Sequence, residues 1–126
     1  MQFTQKLIVV VEDDVSLNQA VCRLLQAAGH RTLSFASAEA ALAVNLQSAD
    51  CLLLDIRLSG MSGTELFERL TASGSTVPAV FVSAYDHPQF RARASGEPVS
   101  TFLSKPYAGS DLLRSLDSLM AQTSAK

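Results

Sequence analysis

Four clusters of chemistry-bearing residues recur along the chain, each at the end of an apolar run. Leu7-Ile8-Val9-Val10-Val11 ends in Glu12-Asp13-Asp14, and Cys51-Leu52-Leu53-Leu54 ends in Asp55. Val80-Phe81-Val82 ends in Ser83-Ala84, and Thr101-Phe102-Leu103 is followed, one residue on, by Lys105-Pro106. These are acids, a hydroxyl and an ammonium. An acid that directly ends a run as apolar as Leu52-Leu53-Leu54 is costly to take out of water unless something compensates it. A cation is the natural compensator.

The runs that carry these residues are short, apolar and rich in Val, Leu and Ile. They read as strands of a parallel sheet buried on both faces. Between them the apolar period becomes helical. Val21, Leu24, Leu25 and Ala28 share one side of a first helix, which Gly29 ends at its C′ position. Residues 31–35 alternate polar and apolar, as a strand nearer the sheet edge does. Ser37 caps a second helix through Ala40, Ala41, Leu42 and Val44, with Glu39 favourable in its first turn. Residues 58–63, Leu-Ser-Gly-Met-Ser-Gly, have turn chemistry. A third helix starts near Thr64 and buries Leu66, Phe67 and Leu70. Pro78 introduces the strand around Phe81. Residues 87–95 form a weak helix, broken by Gly96 and Pro98. Ser110 caps a last helix with Asp111 in its first turn and Leu112, Leu113, Leu116, Leu119 and Met120 on its apolar face. A polar tail from Gln122 is expected to fray. Five β-α repeats imply a parallel sheet with helices on both faces, joined by right-handed crossovers. In such sheets sites form beyond the carboxyl ends of the strands, where the four clusters fall.

With 126 residues the chain is expected to be one domain over 1–126, its core over about 6–121, with no second domain. Hydrophobic residues make up 48% and charged ones 17%, which argues against disorder. The net charge of −2 gives no sign of the basic face that direct nucleic-acid binding needs. The apolar runs are too short to span a bilayer, and residues 1–4 do not begin a secretory signal. Cys22 and Cys51 are expected to be two buried reduced thiols, with a disulfide or a redox site as the alternatives. His30 and His87 read as surface histidines. The expected location is cytoplasmic.

Acid-acid after strand one, Asp after strand three, Ser and a small residue after strand four, and Lys-Pro after strand five together resemble the receiver domain of two-component response regulators. Asp55-Ile56-Arg57-Leu58, followed by Gly60-Met61-Ser62-Gly63, is similar to the family's phosphorylation loop (Leu58, Ser59, Gly60 and Gly63 here). Ser37-Ala38-Glu39-Ala40 is similar to receivers of regulators with a LuxR-type output domain. The resemblance covers nearly the whole chain. It implies a flavodoxin-like (βα)5 three-layer fold with a parallel five-stranded sheet in the order 2-1-3-4-5. It implies Asp55 as phosphoacceptor for a histidine kinase, in a Mg²⁺-dependent phosphorelay reaction for which Mn²⁺ could substitute. Asp13, Asp55 and the backbone carbonyl of Arg57 would hold the ion, with Glu12 reaching it directly or through water; Asp14 reads as a helix N-terminal acid. Mg²⁺ suits such hard oxygen ligands, and a divalent ion relieves the repulsion among clustered carboxylates. Lys105 would pair with Asp55 and later with the phosphoryl group. Pro106 would follow a cis peptide bond. Ser83, backed by Ala84, and Phe102 would be the switch hydroxyl and aromatic. Their repacking would alter the face formed by the fourth helix, strand five and the last helix, through which a phosphorylation-dependent homodimer could form. The resemblance implies a signalling domain that catalyses its own phosphorylation and dephosphorylation, with no external substrate to turn over.

Two departures from the family pattern, and the residues at two positions that in the family tune water access, carry expectations of their own. Ser59 stands where the family usually has proline, which should soften the loop slightly. Pro98, in Ser95-Gly96-Glu97-Pro98, should end the fourth helix early and leave the signalling face soft, unless amides 91–95 prove strongly protected from exchange. Arg57 and Tyr85, two beyond the phosphoacceptor and the switch hydroxyl, are both large and should slow hydrolysis of the phosphoryl group.

Other functions fit less well. An aspartate-nucleophile phosphohydrolase usually carries a second aspartate where Arg57 stands, and needs a cap. A flavin or nucleotide binder needs a Ser/Thr/Gly-rich phosphate loop after strand one, where Glu12-Asp13-Asp14 has the wrong charge. A phosphorylation-independent pseudo-receiver, acting as an interaction module, usually lacks one of the acids or the lysine, and this chain keeps them all.

Overall fold

The computed structural model describes residues 5–84 and 99–124. The helix expected over 87–95, the stretch 95–98, Tyr85 and His87 lie outside the described residues. Five strands form one parallel sheet: β1 (Leu7–Val11), β2 (Arg31–Phe35), β3 (Cys51–Asp55), β4 (Ala79–Ser83) and β5 (Ser100–Ser104). Their order is β2-β1-β3-β4-β5, and every pairing is parallel. The described helices are α1 (Val15–Ala27), α2 (Ala38–Leu42), α3 (Gly63–Ala72) and the last helix, α4 (Gly109–Ser124).

Strand side chains alternate between the two faces, so one sheet serves two cores. Val9, Val11, Leu52, Leu54, Ala79 and Phe81 pack with Ala38 and Ala41 of α2 and Leu66 of α3. Ile8, Val10, Cys51, Leu53, Val80 and Val82 pack with Val21 and Leu25 of α1 and Leu112, Leu116, Leu119 and Met120 of α4. That is a three-layer arrangement. Phe67 meets Phe81 edge-on, with ring centroids 5.3 Å apart, a favoured aromatic geometry. β1, β3 and β4 are covered on both sides, so their carboxyl ends lie at the buried centre of the sheet.

The strands fall where the apolar runs and, for β2, the alternation of residues 31–35 predict. Several helix limits differ. α2 stops at Leu42, leaving Val44 43% exposed, because Asn45 Oδ1 accepts the Gln47 N–H at 2.9 Å and turns the chain. α3 begins one residue before Thr64, with Ser62 Oγ accepting the Glu65 N–H as its N-cap. Ser110 is not a cap: α4 starts at Gly109, and Asp111 Oδ2 accepts the Ala108 N–H at 3.4 Å. The helix continues through Ser124 rather than fraying from Gln122, anchored by the buried Leu119 and Met120. Ala28 is exposed as the C-cap of α1, where Gly29 takes φ +95° as a C′ glycine does. Both cysteines are free, but only Cys51 is buried; Cys22 is half-buried.

Candidate functional site

The clusters meet at the carboxyl edge of the sheet. Glu12 follows β1 and is buried, and its N–H donates to Phe35 O at the end of β2 at 3.1 Å. Its Oε2 accepts the Asp14 N–H at 3.1 Å, and its Oε1 accepts from Lys105 Nζ at 3.0 Å. Asp55, the last residue of β3, is equally buried. Its Oδ2 accepts from Lys105 Nζ at 2.8 Å, and its Oδ1 accepts the Arg57 N–H at 2.9 Å. Lys105 thus bridges two acids that belong to different strands. Its backbone N–H donates to Ser83 O at 2.8 Å, which ties β5's extension to the end of β4. The Lys105–Pro106 peptide bond is cis.

Burial pushes the Glu12 carboxyl above its ordinary range, with the Asp55 charge adding to this; the Asp14 N–H and Lys105 oppose it. Burial works the other way on Lys105, but its bonds to Asp55 and Glu12 outweigh it and hold the ammonium above its usual value. One oxygen from each of Glu12, Asp13 and Asp55 can lie within 4.8 Å of the others. Asp13 is the exposed member of the three. Asp14 serves the helix instead, since its Oδ1 accepts the Leu17 N–H at 3.1 Å and caps α1.

The loop from Arg57 to Ser62 leaves β3 over two acid anchors. Asp13 Oδ2 accepts from both the Ser59 N–H, at 3.2 Å, and Ser59 Oγ, at 3.4 Å. Where the sequence suggests only slight softening at Ser59, the structure provides a cross-link between loops. At the far end, Glu39 Oε2 accepts the Met61 N–H at 2.9 Å, which lowers the Glu39 carboxyl below its ordinary value. Gly60 sits between, at φ +80°, and a Cβ there would reach Glu39 Oε2 at 2.5 Å. Gly63 is required for another reason: a Cβ would overlap the Asp55 carbonyl oxygen. Leu58 is half-buried and packs on the α2–α3 side.

The structure therefore brings Glu12, Asp55 and Lys105 into direct contact, with Asp13 beside them and Arg57 bonded through its amide. Ser83 is buried at the end of β4, one residue beyond the Val82 that pairs with Asp55, and Ala84 after it is exposed. Phe102 pairs with Phe81 and is half-buried against the α2–α3 core. Two contributors have no place in the sequence reading of the site. Asn18 Nδ2 donates to Glu12 O at 3.0 Å and to Phe35 O at 3.2 Å, clamping the ends of β1 and β2. Its weak helix propensity inside α1 is a faint signal of such a role. Glu39 reads as a first-turn acid, and nothing in its spacing reveals its reach to Met61.

The fold is flavodoxin-like, with its polar site at the carboxyl ends of the central strands. Residues 8–117 match the family model of the response regulator receiver domain, and the chain belongs to that family. Nodulation protein W of Bradyrhizobium diazoefficiens is 31% identical over 95% of this chain and 52% of its own length. The transcriptional regulatory protein TdiR of Thauera aromatica is 32% identical over 89% of this chain and 50% of its own. The chain spans about half the length of these relatives. Among solved structures, response regulator StyR superposes with a TM-score of 0.85 at 32% identity, covering 97% of this chain and 62% of StyR. The chemotaxis protein CheY4 of Vibrio cholerae shares the fold, with a TM-score of 0.78 at 24% identity over 92% of this chain and 99% of CheY4. Among the described residues no helix is long and apolar enough to cross a membrane.

Proposed function

We propose that this receiver accepts a phosphoryl group on Asp55 from a histidine kinase, with Mg²⁺, and relays it as a change of surface packing. The observation that carries this reading is Lys105 Nζ held between Asp55 Oδ2 and Glu12 Oε1 at the sheet's carboxyl edge. A carboxylate oxygen of Asp55 attacks the phosphorus in line. The bond from phosphorus to the donor's imidazole nitrogen breaks, and that nitrogen keeps the electron pair. Lys105 is in reach to take a phosphoryl oxygen as a point charge, and Glu12 keeps it there. The Ser83 hydroxyl then donates to the phosphoryl group, and Phe102 moves into the space it leaves.

The donor set fits Mg²⁺. Asp13 and Asp55 offer carboxylate oxygens, Arg57 its backbone carbonyl, and Glu12 a further oxygen directly or through water; all are hard ligands. When bound, the ion neutralises charge on the transferring group and relieves repulsion among the acids; Mn²⁺ is the expected substitute. The output lies in a partner or a further domain, and a phosphorylation-dependent homodimer through the fourth helix expected from the sequence, β5 and the last helix is one route to it. TdiR is named a transcriptional regulatory protein, which supports a transcriptional output; the proposed setting is the cytoplasm, with no direct nucleic-acid contact by this domain. The phosphorylation-independent reading gains nothing from a chain that keeps the acids and the lysine.

Intact-protein mass after incubation with acetyl phosphate tests the proposal. One added phosphoryl group is expected with Mg²⁺, and none in Asp55→Asn or in the metal-free sample. An adduct that survives Asp55→Asn would refute the assignment.

A further inference from the structure

The three acids of the site are not held equally. Glu12 is fixed by the Asp14 N–H and by Lys105, and Asp55 by the Arg57 N–H and by Lys105. Asp13 is exposed. Among the described residues its carboxylate has one hydrogen-bonding partner, Ser59, 46 positions away in the chain. Both Ser59 donors fall on Oδ2, so Oδ1 keeps its lone pairs for another use. Proline, which the family usually carries here, has neither an N–H nor a hydroxyl and could supply neither bond.

We propose that Ser59 is a positioning residue for Asp13, holding one carboxylate oxygen so that the other is set toward the cation. The inference rests on the Mg²⁺ reading above. An exposed Asp side chain in water samples several rotamers, and a ligand that must be frozen on binding costs affinity. Hydrogen bonds to ligating carboxylates perform this freezing in advance, and losing such partners typically weakens metal binding about 10–100-fold. Ser59 does more than orient one group. It lies two residues beyond Arg57, whose carbonyl is the third oxygen of the set, so its bonds tie a ligand after β1 to the loop that carries a ligand after β3. The departure from proline at this position is thus a gained contact between the two ligand-bearing loops.

The experiment titrates Mg²⁺ alone into the unphosphorylated full chain by calorimetry, for wild type, Ser59→Ala and Ser59→Pro. The χ1 couplings of Asp13 are measured by NMR on the same metal-free samples. Ser59→Pro is expected to bind about tenfold more weakly, at the low end of that range because the contact is exposed. Ser59→Ala, which keeps the N–H, should fall between it and wild type. The Asp13 couplings should show one rotamer in wild type and averaging in Ser59→Pro. Unchanged or tighter binding in Ser59→Pro overturns the proposal, since Ser59 would then compete with the ion or be idle. Weaker binding with Asp13 still in one rotamer also overturns it, since the loss would come from the loop. A wild type that binds no Mg²⁺ removes the metal reading itself.

Discussion

β2 and β3 are both five residues long and both pair with β1, yet they carry opposite loads. Every residue of β3 is buried and the strand ends in a buried acid; β2 is half-exposed at the sheet edge and ends in an aromatic residue. The difference shows where a buried charge can be borne. Asp55 is flanked by β1 and β4, so Lys105 and the Arg57 amide meet it in a fixed geometry. β2 has a neighbour on one side only, and its part is to brace: Phe35 O takes the Glu12 and Asn18 donors that fix the end of β1.

The contrast can be broken by core truncation, which carries the largest expected effect. Leu53→Ala, in the middle of β3, should destabilise the protein by about 2–5 kcal/mol. Leu33→Ala, at the matching place in β2, should cost under about 1 kcal/mol, since Leu33 is 38% exposed. Chemical denaturation of both variants gives the comparison directly; equal losses would mean that the edge strand is as strongly held as the central one.

A kinetic test sharpens the same contrast at the ends of the strands. If Arg57 and Tyr85 together restrict water access to a phosphoryl group on Asp55, the Arg57→Ala, Tyr85→Ala variant should dephosphorylate faster. Decay of the aspartyl phosphate by mass gives the rate, and equal rates would sink the idea.

The smallest effect links the two regions. Glu39 follows β2 in the chain but holds Met61 in the loop after β3. Its folded carboxyl lies below its ordinary value of 4.5 because the ionised form accepts the Met61 N–H. The stability that this bond adds is therefore present above pH 4.5 and lost as pH falls through the lower, folded value. The Met61 amide shift should titrate with a midpoint below 4.5 and lose that titration in Glu39→Gln. A midpoint at or above 4.5 would show that the bond is not formed in solution.

Much of this is legible in the residues. Apolar runs place four of the strands and alternation places β2, and the polar residues ending those runs mark the sheet's carboxyl edge. What escapes depends on reach across the fold. Glu39 and Asn18 act on residues brought near by the crossovers, and no local spacing records that. Ser59 looks like a missing proline because a family pattern reports what is absent; its donors acquire meaning only beside Asp13. Helix ends slip by a few residues where Asn45 and Asp111 rearrange the turns.

Cys51 lies at the start of β3, fully enclosed, and burial pushes its thiol up to about 12. At neutral pH it is almost wholly the unreactive thiol. Cys22 is only half-buried, on α1, where its Sγ donates to Asn18 Oδ1 at 3.6 Å. The chain therefore offers a single labelling position without mutagenesis. A small thiol-reactive fluorophore would attach at Cys22, one hydrogen bond from the Asn18 amide that grips the Glu12 carbonyl, and would report events at the acidic edge from the helix beside it.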